Sequence, residues 1–139
     1  MVSIGYRRKG RILAVQALYA WEMSQDEQAE LLNGDGLESS EEGLQSNVFA
    51  RLLVQGTVKN VESIDEAIKK RLQHWDITRI ARVDLAILRM SVYCLLYQPD
   101  LPASVIINEA VDIAKNFGSE QSFRFINGVL DAVAKGRDT

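Results

Sequence analysis

Two groups of polar side chains in this sequence could do chemistry. Arg7, Arg8, Lys9 and Arg11 place four of the sixteen bases within five positions, an arrangement that can neutralise phosphates. Glu109 and Asp112 stand three apart, where paired carboxylates on one helix face could serve acid–base work or hold a cation. The carboxylates have a simpler reading. Asp112 has Lys115 nearly a turn further on as an ordinary ion-pair neighbour, and Glu109 can pair with Arg89, the base inside an otherwise apolar stretch. No histidine accompanies them. The single histidine, His74, beside Trp75, reads as a surface or helix-end residue. The single cysteine excludes an internal disulfide framework and any multi-cysteine metal site. Cys94, among Tyr93, Leu95 and Leu96, reads as a small hydrophobe. The sequence holds no Gly-rich phosphate loop, Gly-x-Ser-x-Gly elbow or His-Glu-x-x-His. Binding, without catalysis, metal or cofactor, is the expectation.

The basic group is an oddity on two counts. The formal net charge is −3, so any anionic partner must be met by a local patch. The bases also open a helix, where the macrodipole is positive and each cation costs about 0.3–1 kcal/mol. They are followed by Gln16 and Tyr19, amide and aromatic groups able to meet bases or a protein. Cations with interleaved aromatics and amides suit single-stranded nucleic acid. A second such group lies near the other end of the chain, in Phe117, Gln121 and Phe125. Phe125 falls about 100° off the Phe123/Ile126/Leu130 core stripe, and completing the core remains an alternative for both phenylalanines.

The elements that must hold these residues are helical. Hydrophobic residues make up 47% and charged residues 25% of the 139, a composition suited to one globular domain. On the first helix Ala14, Val15, Leu18 and Trp21 form the inward stripe. Residues 22–42 hold eight acids and no base around Asn33-Gly34-Asp35-Gly36, which reads as a solvated linker. A second helix is expected over about Ser46–Lys59 with Val48, Phe49, Leu52, Leu53 and Gly56 inward, and a third over about Val61–Leu72. Twelve of the sixteen residues from Arg82 to Tyr97 are apolar, so that helix should be central. Pro99 and Pro102 end it. The next helix stops at Gly118 as an αL cap, and Ser119 caps the last. About seven helices are expected, all-α, with no repeats. The apolar region 83–97 carries Asp84 and Arg89 and is too short to span a bilayer, and Gln16 and Glu22 interrupt any signal-like run, so a cytoplasmic protein is expected.

The stretches RRKGRILAVQALYAW, RIARVDLAILRMSVYCLLY and LPASVIINEAVDIAKNFGSEQSFRFINGVLD resemble the NusB family of transcription antitermination factors, in order and spacing, over about half the chain. The resemblance implies two roughly perpendicular helical subdomains, about residues 1–75 and 76–139. It implies an RNA-binding adaptor that binds the boxA element of nascent RNA together with NusE, a small-subunit ribosomal protein. The pair would join NusA and NusG on RNA polymerase and suppress termination, notably in ribosomal RNA synthesis. By the resemblance the RNA-facing residues are Arg7, Arg8, Lys9 and Arg11 and the edge formed by Phe117, Gln121 and Phe125; Gln16, on the exposed face after the bases, is expected to join them. The NusE-facing residues are Tyr19, Thr78, Arg79 and Asp84. The chain departs from the family pattern in having Leu85 after Asp84 where an arginine is common. It also has Cys94 where an acid is common, and Gln121 where a carboxylate is common. Two other readings fit the same residues. One is a stand-alone relative of the domain that precedes some RNA methyltransferases, without the cofactor domain. The other is a structural interaction protein whose cations are solubilising. Members of the family differ in whether they self-associate, a homodimer could cover the RNA face, and Gly128 could allow close helix approach within the fold or across subunits.

Overall fold

Helical spacing of apolar residues, broken only at the two prolines, produces helices throughout. A computed structural model of the chain describes residues 3–24, 41–72 and 76–137. Among these residues there are six α-helices: α1 (Ser3–Ser24), α2 (Glu41–Lys59), α3 (Val61–Lys69), α4 (Arg82–Tyr97), α5 (Ala103–Phe117) and α6 (Ser122–Arg137). A 3₁₀ turn, Ile77–Arg79, precedes α4. The fold is all-α, with one α-helix fewer in the described residues than the seven or so expected. The acidic stretch is shorter than its composition implies, because α1 runs through Ser24, whose hydroxyl donates to the Ala20 carbonyl at 2.8 Å, and α2 begins at Glu41. The rest of that expected linker, and His74, lie outside the described residues. No helix among the described residues is long and apolar enough to cross a membrane.

The chain forms two compact units, Met1–Lys59 and Asn60–Thr139. The expected boundary near residue 75 left α3 with the first half. The packing instead gives it to the second, through Arg89 on α4. That guanidinium donates through Nε and Nη2 to the two carboxylate oxygens of Asp65, both at 2.9 Å, forming a bidentate pair across α3 and α4.

In the first unit α1 packs on α2. Gly10 lets them approach: a Cβ there would lie 2.6 Å from Phe49 Cδ2 and 3.1 Å from the Ser46 carbonyl oxygen. This contact rotates α2 away from its expected face. Ala50, Leu53, Val54 and Thr57 are buried, while Val48 and Leu52, expected inward, are 56% and 59% exposed. They join Tyr6, Leu44 and Phe49 around a shallow apolar groove.

In the second unit α4 is the central helix, with Ile87, Leu88, Met90, Val92 and Leu95 buried between α3, α5 and α6. Pro102 is the N-cap of α5, and Arg137 at the end of α6 donates to the carbonyls of Pro99 and Leu101 at 2.6 and 2.8 Å, tying down the proline turn. Gly118 is not an αL cap. Its φ is −101°, in the extended region, and glycine is needed there because a Cβ would sit 2.7 Å from Ser122 Cβ and Oγ. At the start of α6 the capping side chain is that of Ser122: its Oγ accepts from the Ser119 N–H at 2.9 Å, the N3-to-cap half of a capping box, and the Ser119 hydroxyl meets the same Oγ at 3.1 Å.

Candidate nucleic-acid and partner surfaces

The first surface lies on α1. Its first turn holds no acid to complement the helix dipole. Arg7, Arg8 and Lys9 are exposed, with the Arg7 guanidinium 5.4 Å from the centre of the Tyr6 ring. Lys9 and Gln16, seven residues apart, lie on the exposed face, and Tyr19 is 38% exposed beside it. Arg11 is different. It is only 7% exposed, with its guanidinium 5.4 Å above the Phe49 ring, so it packs α1 on α2. The four bases that adjoin in sequence thus divide into three at the surface and one within the helix interface.

The second surface is a groove in the second unit, lined by Arg79, Ile80, Asp84, Ser119, Gln121 and Phe125. Four of the residues singled out from sequence meet there. Thr78, also exposed, is on the adjoining 3₁₀ turn, and Phe117, 49% exposed, is at the end of α5. One positioning residue escaped the sequence reading. Asp76 caps the 3₁₀ turn by accepting from the Thr78 N–H at 3.1 Å, a bond that holds its carboxyl below the usual carboxylate range. Its signal was present, an aspartate two residues before a threonine at the start of a short helical turn.

Asp84 is the chemically distinctive member. It is 8% exposed, in the first turn of α4. Its Oδ2 accepts from the Ser122 hydroxyl at 3.1 Å, which joins α4 to the start of α6. Its Oδ1 is buried with no hydrogen-bond partner. Burial raises the Asp84 pKa, only partly offset by the Ser122 hydroxyl.

A stability measurement checks this. Asn at position 84 keeps an oxygen for Ser122 and removes the buried charge. The folded pKa is raised, so the fold carries the charging cost as pH rises from about 3.9, the unfolded value, through the folded one. Asp84→Asn is therefore expected to melt higher than the native chain at pH 7, with the difference vanishing below about pH 3.9. A lower melting temperature at pH 7 would mean that the charged form supports the fold.

Comparisons with known proteins bear on the family and the fold. The sequence profile described as the NusB family matches residues 8–135. The chain is 47% identical over 130 residues to the Transcription antitermination protein NusB of Treponema pallidum (strain Nichols), covering 93% of this chain and 92% of that one. The structure of T. maritima NusB superposes with a TM-score of 0.79 at 34% identity, covering 93% of this chain and 90% of that chain. A chain from the crystal structure of antitermination factors NusB and NusE in complex with dsRNA superposes with a TM-score of 0.82 at 27% identity, covering 94% and 97%. With a profile match over most of its length, the chain belongs to the NusB family.

Proposed function

We propose that this protein is a non-catalytic RNA-binding antitermination factor, acting in the cytoplasm, that binds single-stranded boxA-type RNA together with a NusE-type partner. The observation that carries this is the exposed Arg7–Arg8–Lys9 run in a chain of net charge −3. Helix α1 begins at Ser3, so the run lies past the first turn and does not open the helix as the sequence implied. These cations neutralise phosphates. Gln16, and the Phe117, Gln121 and Phe125 edge, meet bases and sugars. Arg11 supports the cations from within the α1–α2 interface rather than meeting phosphate itself. Tyr19, Thr78, Arg79 and Asp84 face the protein partner. The structure of NusB and NusE with dsRNA supports both kinds of partner. On RNA polymerase the assembly would act with NusA and NusG during ribosomal RNA transcription. Neither binding partner need be held tightly alone, because two adjoining weak sites gain through effective concentration.

Fluorescence anisotropy with a labelled boxA RNA and a scrambled control, with and without NusE, tests the reading. Preference for boxA and tightening by NusE are expected. Arg79→Ala, at the exposed rim of the groove, should weaken the NusE-dependent tightening severalfold. No binding of either RNA, even with NusE, would leave the cations as a solvated helix end and the function unassigned.

A further inference from the structure

The groove at Asp84 lies where α4 and α6 begin. Where the same two helices end, they enclose with α3 a separate groove of about 450 Å³. The twelve residues from Asp84 to Leu96 along α4 set the two about 18 Å apart. The floor of the second groove is aliphatic, made by Ala67 of α3, the exposed Leu96 of α4 and Val133 of α6. Its rim is cationic, with Lys70 and Arg71 just beyond α3 and Arg137 at the end of α6.

Bases at helix C-termini complement the dipole, which accounts for their sign. It does not account for how they are paired. Lys69 and Lys135, on the same two helices, have carboxylate neighbours, Glu66 at 3.9 Å and Asp131 at 3.3 Å. Lys70, Arg71 and Arg137 have no carboxylate partner among the described residues. The Arg137 guanidinium is held only by neutral oxygens, those of Pro99 and Leu101 on Nη2, and its Nη1 is buried with no partner. The Arg71 guanidinium reaches across to α6, where its Nη2 lies 2.7 Å from the place a Cβ on Gly136 would take. Three cations thus converge on one concavity. The acid that also lines it, Glu66, is shared with Lys69.

We propose that this groove docks an acidic amphipathic segment of a partner protein. Carboxylates of the segment meet Lys70, Arg71 and Arg137, and its aliphatic side chains cover Leu96 and the floor. The lining favours protein over a further length of RNA. Among the described residues that form it, none is aromatic and none is an amide, so bases have nothing to stack on or pair with. Tyr97, beside the groove, is engaged: its hydroxyl bonds to Ser63 Oγ at 2.7 Å and its ring stacks on Tyr93. An aliphatic floor contributes nothing to a ribose–phosphate chain, but it suits leucine or isoleucine side chains between acids. Docking at this end leaves the Asp84 groove open, so a further protein and the partners proposed above can be held together.

The probe is a labelled helical peptide of repeated Glu-Glu-Leu-Leu, with a Glu-Glu-Ser-Ser control of equal charge, titrated into the full chain. The leucine peptide is expected to bind at least tenfold more tightly than the control, with NMR amide shifts concentrated at Ser63–Arg71 and Val133–Arg137. Lys70→Ala/Arg71→Ala should weaken it about fivefold, the worth of two exposed ion pairs. Leu96→Ser should weaken it about tenfold through lost apolar burial. All three side chains are exposed, so melting temperatures should stay within about 2 °C of the native value. Affinity for boxA RNA should be unchanged in these variants. No peptide binding by the native chain, equal binding of both peptides, or native affinity in the variants would overturn the proposal. Lost RNA affinity in Lys70→Ala/Arg71→Ala would overturn it too, giving the face to nucleic acid. Self-association of the native chain that Leu96→Ser abolishes would give the face to a second copy. An absence of RNA binding by the native chain would bring down the RNA reading alone, since peptide binding is read separately.

Discussion

Replacing Arg7, Arg8 and Lys9 together by alanine is expected to weaken single-stranded RNA binding about a hundredfold at 0.1 M salt. Each phosphate neutralised on a single strand contributes about −0.7 to the slope of log affinity against log salt, so three lost contacts make the slope shallower by about 2. Extrapolated from 1 M salt, where the counterion contribution is small, the same three contacts are worth about two decades at 0.1 M. The fold should not suffer. These side chains are exposed and lie beyond the first turn of α1, so their removal should leave the melting temperature nearly unchanged. Anisotropy titrations from 0.05 to 0.5 M salt, with a thermal melt as control, decide the matter. An unaltered slope would take the cluster out of the RNA site. Arg11→Ala should behave in the opposite way, losing stability through the Phe49 contact with little change in slope.

Asp65→Ala is expected to lower stability by about 3 kcal/mol, or the melting temperature by about 10 °C, without altering the salt dependence of RNA binding. The Arg89 and Asp65 side chains are 11% and 21% exposed, and their bidentate pair joins α3 to the central helix. Removing the carboxylate takes the bidentate partner from a mostly buried guanidinium, whose desolvation that pair offsets. The double variant Asp65→Leu/Arg89→Met removes both charges and should recover much of the loss, because paired removal leaves no charge stranded. Urea melts of the three proteins provide the measurement. A loss under 1 kcal/mol for Asp65→Ala would show that other groups already satisfy Arg89.

The helices were legible in the sequence because their signals are local. The apolar spacing on α4 and the two prolines each act within a few residues. What was not legible depended on contacts between helices. Arg11 is chemically the same as Arg7 and Arg8, and only the approach of Phe49 makes it an interior residue. On α2, apolar residues occur on more than one side, so periodicity alone could not choose between the Val48/Leu52 side and the Ala50/Val54 side. The close contact at Gly10 chose the latter. The groove shows the same division. Asp84, Gln121 and Phe125 could be named from a family resemblance, but the unpartnered oxygen of Asp84 is a three-dimensional fact. Its bond to Ser122 spans 38 positions of sequence, beyond the reach of any spacing rule.

The contact at Gly10 also acts as an index mark. Shifting α1 along α2 by one turn in either direction would bring Tyr6 or Ala14 to the place that only a hydrogen now fills beside Phe49 and Ser46. The close approach therefore favours the observed pairing of the two helices over a shift by one turn. Arg7, Arg8 and Lys9 project from the indexed helix just before that mark. Their long side chains still sample rotamers, but their Cα positions stand at fixed heights relative to α2 before any RNA arrives. Less positional freedom is then lost on binding than from a cationic tail of the same composition.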